Sequence, residues 1–213
     1  GDVTIAVVAA CFAIIFAPRD DGLEDGTEEW SESFLSAELT VPSAEGVRSS
    51  GPMALARVAA TQEELLRRLR AEPGVRAVAV ANALPGMDHN GARIEVADPR
   101  NATPARYFAA DVSVEPGFFE TIGHPVLSGR DFDNTDLVEG TAVIVNTDFV
   151  ENVLGGRNPL GRELRIVTGR EQTPGPWLEI VGVVGRLGTI NSYSDFETFE
   201  AFYRPARAGQ INP

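Results

Sequence analysis

Lysine is absent from this chain: all 18 basic residues are arginine. No Schiff base, no P-loop lysine and no serine–lysine dyad can be built from it. Cysteine is nearly as scarce, with Cys11 the one example, which excludes an intramolecular disulfide and a cysteine-based zinc site. Histidine occurs only at His89, between Asp88 and Asn90, and at His124, between Gly123 and Pro125. No G-x-S-x-G sets a serine on a strained elbow. Local pattern therefore offers no nucleophilic triad, whose members meet only in space. Positive charge is also in deficit. The formal net charge of -13 argues against a nucleic-acid surface, which needs clustered cations, and against docking to anionic lipid through a basic patch.

Uninterrupted apolar sequence is short. Residues 3–17 read VTIAVVAACFAIIFA, a run without charge, whereas a full membrane span needs about 20 apolar residues. The run reads as the outer end of a transmembrane helix, with a buried core helix or strand as the alternative. A signal peptide fits less well, because no basic stretch precedes it. Asp20, Asp21, Glu24, Asp25, Glu28, Glu29 and Glu32 follow with no arginine among them. Cytoplasmic flanks of membrane helices are enriched in Lys and Arg, so this flank favours the outside. It reads as a solvated acidic linker rather than a metal site.

What remains is the composition of an ordinary folded protein, 43% hydrophobic and 23% charged over 213 residues, enough for one large or two small domains. The expected fold class is α+β. Leu35, Ala37, Leu39 and Val41 alternate with polar positions, as in a half-buried strand. Pro52 opens a helix, with Ser50 as a nearby cap. Leu55, Val58, Ala59, Gln62, Leu65, Leu66 and Leu69 then keep helical spacing until Pro73-Gly74. Residues 75–83 read as a buried strand beside the first, giving a βαβ or split-βαβ unit. Strands are also expected near Ile94 and Val96, over 107–114, 142–145, 164–167 and 178–184, and at Phe202-Tyr203. Helical turns are expected over 116–122 and from a Thr147 cap to Leu154, and a Gly/Pro turn over 173–176. The polar stretch 131–140 is the best candidate for a boundary between subdomains.

Each motif that could carry chemistry has a structural reading that fits better. DFDNTD at 131–136 resembles a calcium loop, but position 6 is Asp136 rather than glycine and position 12 is Ala142 rather than glutamate; it reads as a polar turn. Gly182, Gly185 and Gly188 lack the G-x-G-x-x-G spacing, and Gly182 lies inside an apolar run, which suits close backbone packing. Gly155-Gly156 lacks the Lys-Ser/Thr of a P-loop. No catalytic, cofactor-binding or metal-ligating residue is assigned. The chain is expected not to be an enzyme.

Six segments in order carry a resemblance. They are LRAEPGV at 69–75 with NALP at 82–85, VSVEPGFFETIG at 112–123, PVLSGRDF at 125–132, VIVN at 143–146, NPLGR at 158–162 and EIVGVVG at 179–185. Together they resemble the extracytoplasmic domain of MacB-like, FtsX-like ABC-transporter permeases. The resemblance implies a porter-like αβ subdomain plus a smaller inserted Sabre-like αβ subdomain. By analogy these span 31–137 and 138–205, after the end of a transmembrane helix at 1–17 and an acidic linker at 18–30, and before a tail at 206–213. It also implies an ABC-type ATPase subunit as partner and a second permease copy or an envelope protein as another. Nucleic acid and cofactors are not expected. The domain would lie on the periplasmic side of a bacterial inner membrane, coupling ATP-driven helix movement to export or to an envelope partner. A freestanding binding or adaptor module is the alternative.

Overall fold

The computed structural model describes residues 9–10, 39–40, 52–72, 75, 77–83, 89–98, 100, 103–187 and 199–207. They divide into two compact units. Unit 1 is Gly1–Asn82 with Arg207–Pro213, and unit 2 is Ala83–Ala206. Unit 2 is thus a continuous insertion into a unit made of two chain segments. These bounds differ from the division expected at 137/138. The polar stretch 131–140 is a surface loop inside unit 2, and strands from both sides of it share one sheet. Its composition registers exposure to water, not a change of domain.

In unit 1, helix α1 (Pro52–Ala71) starts at the proline that suits a first helical turn. Gln62 and Leu66 are buried, Ala59, Leu65 and Leu69 half-buried, and Glu63, Arg67 and Arg68 exposed. Glu64 accepts hydrogen bonds from Arg67 Nε at 2.8 Å and Arg68 Nε at 2.7 Å. These neighbours hold its carboxyl down at about 2. Ser50 and Pro73-Gly74 lie outside the described residues. Of the apolar run 3–17, Ala9 and Ala10 alone are described. They form strand β1 (Ala9–Ala10), antiparallel to β2 (Leu39–Thr40). The remainder of that run and the 18–30 linker are outside the described residues, and no described helix is long and apolar enough to cross a membrane. The strand expected over 75–83 is not formed as such. Residues 78–81 are buried, but among the described residues of the segment Ala81 alone makes a bridge. Its small alanine and valine side chains bury without a continuous ladder.

Unit 2 is built on strands β3 (Gly91–Val96), β4 (Ala105–Val114), β5 (Ser128–Gly129), β6 (Ala142–Asn146), β7 (Glu163–Thr168), β8 (Thr173–Pro174), β9 (Leu178–Val184) and β10 (Ala201–Pro205). Their order is β5-β9-β6-β10-β4-β3-β7-β8, and β7 also pairs with β9 through Leu164↔Leu178. Six strands therefore close into a ring: β9, β6, β10, β4, β3 and β7. Ile94, Val96, Ala109, Val143, Val145, Leu164, Leu178, Ile180, Val183 and Phe202 fill a shared core, joined by Phe149, Val153 and Leu154. The expected turn over 173–176 is displaced. Thr173 pairs with Thr168, so the hairpin turns at 169–172, where Gly169 (φ 71) and Gln172 (φ 52) take left-handed conformations.

Inward residues of β9 break their alternation, running 178, 180, then 183. The register against β6 passes from Val143↔Ile180 to Ile144↔Gly182, so Val181 is the extra residue of a bulge. Gly182 then faces the partner loop, where a Cβ would come within 2.4 Å of the Arg130 carbonyl oxygen. Its cross-strand partner Gly129 has φ 80, and a Cβ there would meet the Val181 carbonyl oxygen at 2.2 Å. The glycines of the GR and IVGVV segments are thus a pair that lets two backbones touch. Gly129→Ala is expected to lose about 2–3 kcal/mol through left-handed strain and overpacking. Gly117→Ala, with φ 80 but open space around it, should lose about 1 kcal/mol. Thermal denaturation followed by circular dichroism measures both; equal losses would rule out the close-approach account.

Candidate functional site

The segments 112–123, 125–132 and 143–146 contribute to three constructions in unit 2. The first is an aromatic cluster on the outer side of the ring. Helix α2 (Phe118–Thr121) follows Gly117, and Thr121 Oγ1 donates to the Gly117 carbonyl at 2.8 Å. Phe118 and Phe119 are 1% and 0% exposed. Phe119 meets Tyr203 edge-on at 5.0 Å between centroids, Phe118 at 5.5 Å and Phe132 at 6.5 Å. Edge-to-face pairs suit the aromatic quadrupole and add to simple burial. Burial also raises the Tyr203 phenol above its ordinary pKa.

The second construction centres on Asn146, at the end of β6. Its Oδ1 accepts from Phe149 N at 2.9 Å and Ala201 N at 3.0 Å, while Nδ2 donates to the Phe199 carbonyl at 2.6 Å. The helical turn that follows is therefore capped by Asn146 and not by the expected Thr147. From Phe149 to Val153 it is a π-helix. Asp148, 3% exposed, is held by Arg186, whose Nε lies 2.8 Å from Oδ2. The Arg186 guanidinium also stands over the Phe199 ring at 5.2 Å. Local sequence pattern gives Asn146, Asp148 and Arg186 no role. The available signal was a polar residue closing an apolar strand, since a buried amide must find partners.

The third is the acidic loop that looked like a cation site. Arg130 donates to both Asp136 oxygens, at 2.6 and 2.8 Å, and Asp133 N donates to Asp136 Oδ2 at 2.8 Å. Asp133 Oδ1 accepts from Thr135 N at 2.7 Å, and Asp131 Oδ1 from Phe132 N at 2.7 Å. The carboxylates are spent on backbone amides and a guanidinium, leading into helix α3 (Asp136–Glu139). The Arg130 hydrogen bonds hold the Asp136 carboxyl below its usual range, whereas burial raises Asp131. Among the described residues no group of His, Cys, Asp and Glu could hold a metal ion.

The NPLGR segment is a turn against β9. Leu160 N donates to Asn158 Oδ1 at 3.2 Å, and Gly161 N to the Ile180 carbonyl at 3.0 Å. His89 is buried, and His124 is half-buried, with burial lowering its pKa. Gly155 and Gly156 take left-handed conformations in a turn. Gly188 lies outside the described residues.

On the outer face of β3, Glu95 is 4% exposed and bridges Arg106 Nε at 3.0 Å and Arg165 Nε at 2.8 Å. Arg165 stacks on Trp177 at 4.4 Å. Hydrogen bonding from Arg165, with a further contribution from Arg106, holds the Glu95 carboxyl below its ordinary range. A depressed acid stabilises the fold fully above its unfolded pKa and loses that contribution as pH falls through the folded one. The urea midpoint is therefore expected to drop between about pH 5 and pH 3. Glu95→Gln should flatten that drop while lowering stability at neutral pH. An unchanged pH profile in Glu95→Gln would exclude Glu95 as a source of the acid sensitivity.

The model of the MacB-like periplasmic core domain matches residues 3–212. The chain belongs to that family. Its described helices and strands are of the expected α+β class. Its solved relatives include the extracellular domain of the noncanonical ABC-type transporter YknZ from Gram-positive bacteria, at 18% identity and TM-score 0.44, over 68% of this chain and 62% of that one. The periplasmic region of MacB from Actinobacillus actinomycetemcomitans is similar at 11% identity and TM-score 0.47, over 93% of this chain and 66% of that one. The chain thus spans less than two thirds of the length of either. No curated protein matches it.

Proposed function

We propose that this MacB-like domain is the extracytoplasmic part of an ABC-transporter permease and that it acts mechanically, without chemistry of its own. The observation that carries this reading is the family match over residues 3–212. ATP binding at a separate ABC-type ATPase subunit moves membrane helices, and the domain moves with them, driving export or working on an envelope partner. Unit 1 corresponds to the porter-like part and unit 2, inserted in it, to the Sabre-like part. The domain lies on the periplasmic side of the inner membrane, beside a second permease copy. Support also comes from the signature residues, whose glycines, aromatics and Asn146 serve backbone contact, packing and capping.

The test uses the product of the complete gene, tagged and expressed in its bacterial host. It should stay with membranes through an alkaline carbonate wash, bring down an ABC-type ATPase, and raise that subunit's ATP hydrolysis after joint reconstitution. Recovery in the soluble fraction with no ATPase would sink the reading. A stable soluble complex with an envelope protein would put a freestanding adaptor in its place.

A further inference from the structure

The Tyr203 side chain is 1% exposed and its ring is well packed, yet its hydroxyl has no hydrogen-bond partner among the described residues. A phenylalanine would make the same ring contacts without burying that oxygen. Buried hydroxyls are nearly always paired, to protein or to ordered water. Tyr203 lines a recess together with Ala83, His89, Val112, Phe118 and Leu187, all within unit 2. The recess encloses about 10 Å³, which suits a single water molecule and nothing larger. Among its described lining residues, Tyr203 and His89 carry polar side-chain groups, the phenol hydroxyl and the imidazole. His89 is itself buried, at 3% exposure.

An internal water needs at least two polar partners as well as room. The phenol can donate and accept, and an imidazole offers a ring nitrogen in either tautomer. We propose that this recess is a binding site for one internal water molecule, hydrogen-bonded to the Tyr203 hydroxyl and the His89 imidazole. The water ties the segment that carries His89, whose neighbour Asn90 accepts from Asp111 N at 2.8 Å, to β10 on the far side of β4. It makes a polar pin through an otherwise apolar face.

A crystal structure of the unaltered chain, at a resolution that shows ordered solvent, tests this directly. One solvent peak is expected within about 2.5–3.0 Å of Tyr203 Oη and within hydrogen-bond reach of a His89 ring nitrogen. Tyr203→Phe keeps the ring and removes the hydroxyl. It should lose the peak and melt lower, because hydrogen bonds made through the water disappear. A dry recess, or a direct bond from Tyr203 Oη to a protein atom, overturns the proposal. So does a Tyr203→Phe protein that melts higher than the parent, which is the behaviour of a hydroxyl buried with nothing to bond.

Discussion

Phe119→Ala is expected to lower the stability of unit 2 by about 3–5 kcal/mol, the usual cost of truncating a fully buried aromatic. In a chain of this size that is roughly a 10–15 °C fall in melting temperature. The size of the effect follows from its surroundings. Phe119 is 0% exposed and touches three other rings, on α2, β10 and the loop after β5. None of these can collapse into the space left behind without breaking its own contacts. Phe108, 40% exposed on the outer face of β4, provides the internal standard. Phe108→Ala should change the melting temperature by no more than a few degrees. Similar losses at the two positions, in scanning calorimetry, would mean that the aromatic cluster is not part of the cooperative core.

Asn146→Ala is expected to be comparably damaging, at about 3–5 kcal/mol, for a different reason. Truncation leaves Phe149 N and Ala201 N without their shared acceptor and the Phe199 carbonyl without its donor. Each orphaned buried group costs about 1–3 kcal/mol. Asn146→Asp separates the two halves of this network. It retains the oxygen that accepts from two amides, loses the donor to Phe199, and brings a second carboxylate beside Asp148. Its loss should exceed that of a surface substitution and depend on pH, easing as the medium becomes acidic enough to protonate the new carboxyl. Urea denaturation at pH 7 and pH 4.5 distinguishes the two variants. A fully stable Asn146→Ala would show that other groups cap this turn.

The legible parts of the fold were those written in short-range pattern. Strand β9 and helix α1 announce themselves through an apolar run between breakers and through helical spacing, and both occupy the expected residues. The glycine at 182 was read as close packing, and the space around it agrees. What pattern could not carry was long-range pairing. Leu164 and Leu178 look like ordinary strand residues, and nothing local says that their contact closes a ring. The polar stretch 131–140 invited a domain boundary because loops and linkers share a composition. The true division follows from which strands meet, and that is a property of pairs distant in sequence. Asn146 was hidden for a similar reason. Its partners at 199 and 201 lie some 50 residues away along the chain, with bonds that only the folded backbone brings together.

Closure of the ring also governs how unit 2 meets its neighbours. A sheet that returns on itself ends only in two-residue strands, β5 and β8, and so presents almost no backbone for an incoming chain to zip onto. Unit 2 is thereby protected from fusing with other strands through the open edge of its sheet. A companion that bound unit 2 would therefore have to recognise side chains on the walls of the ring or in its loops.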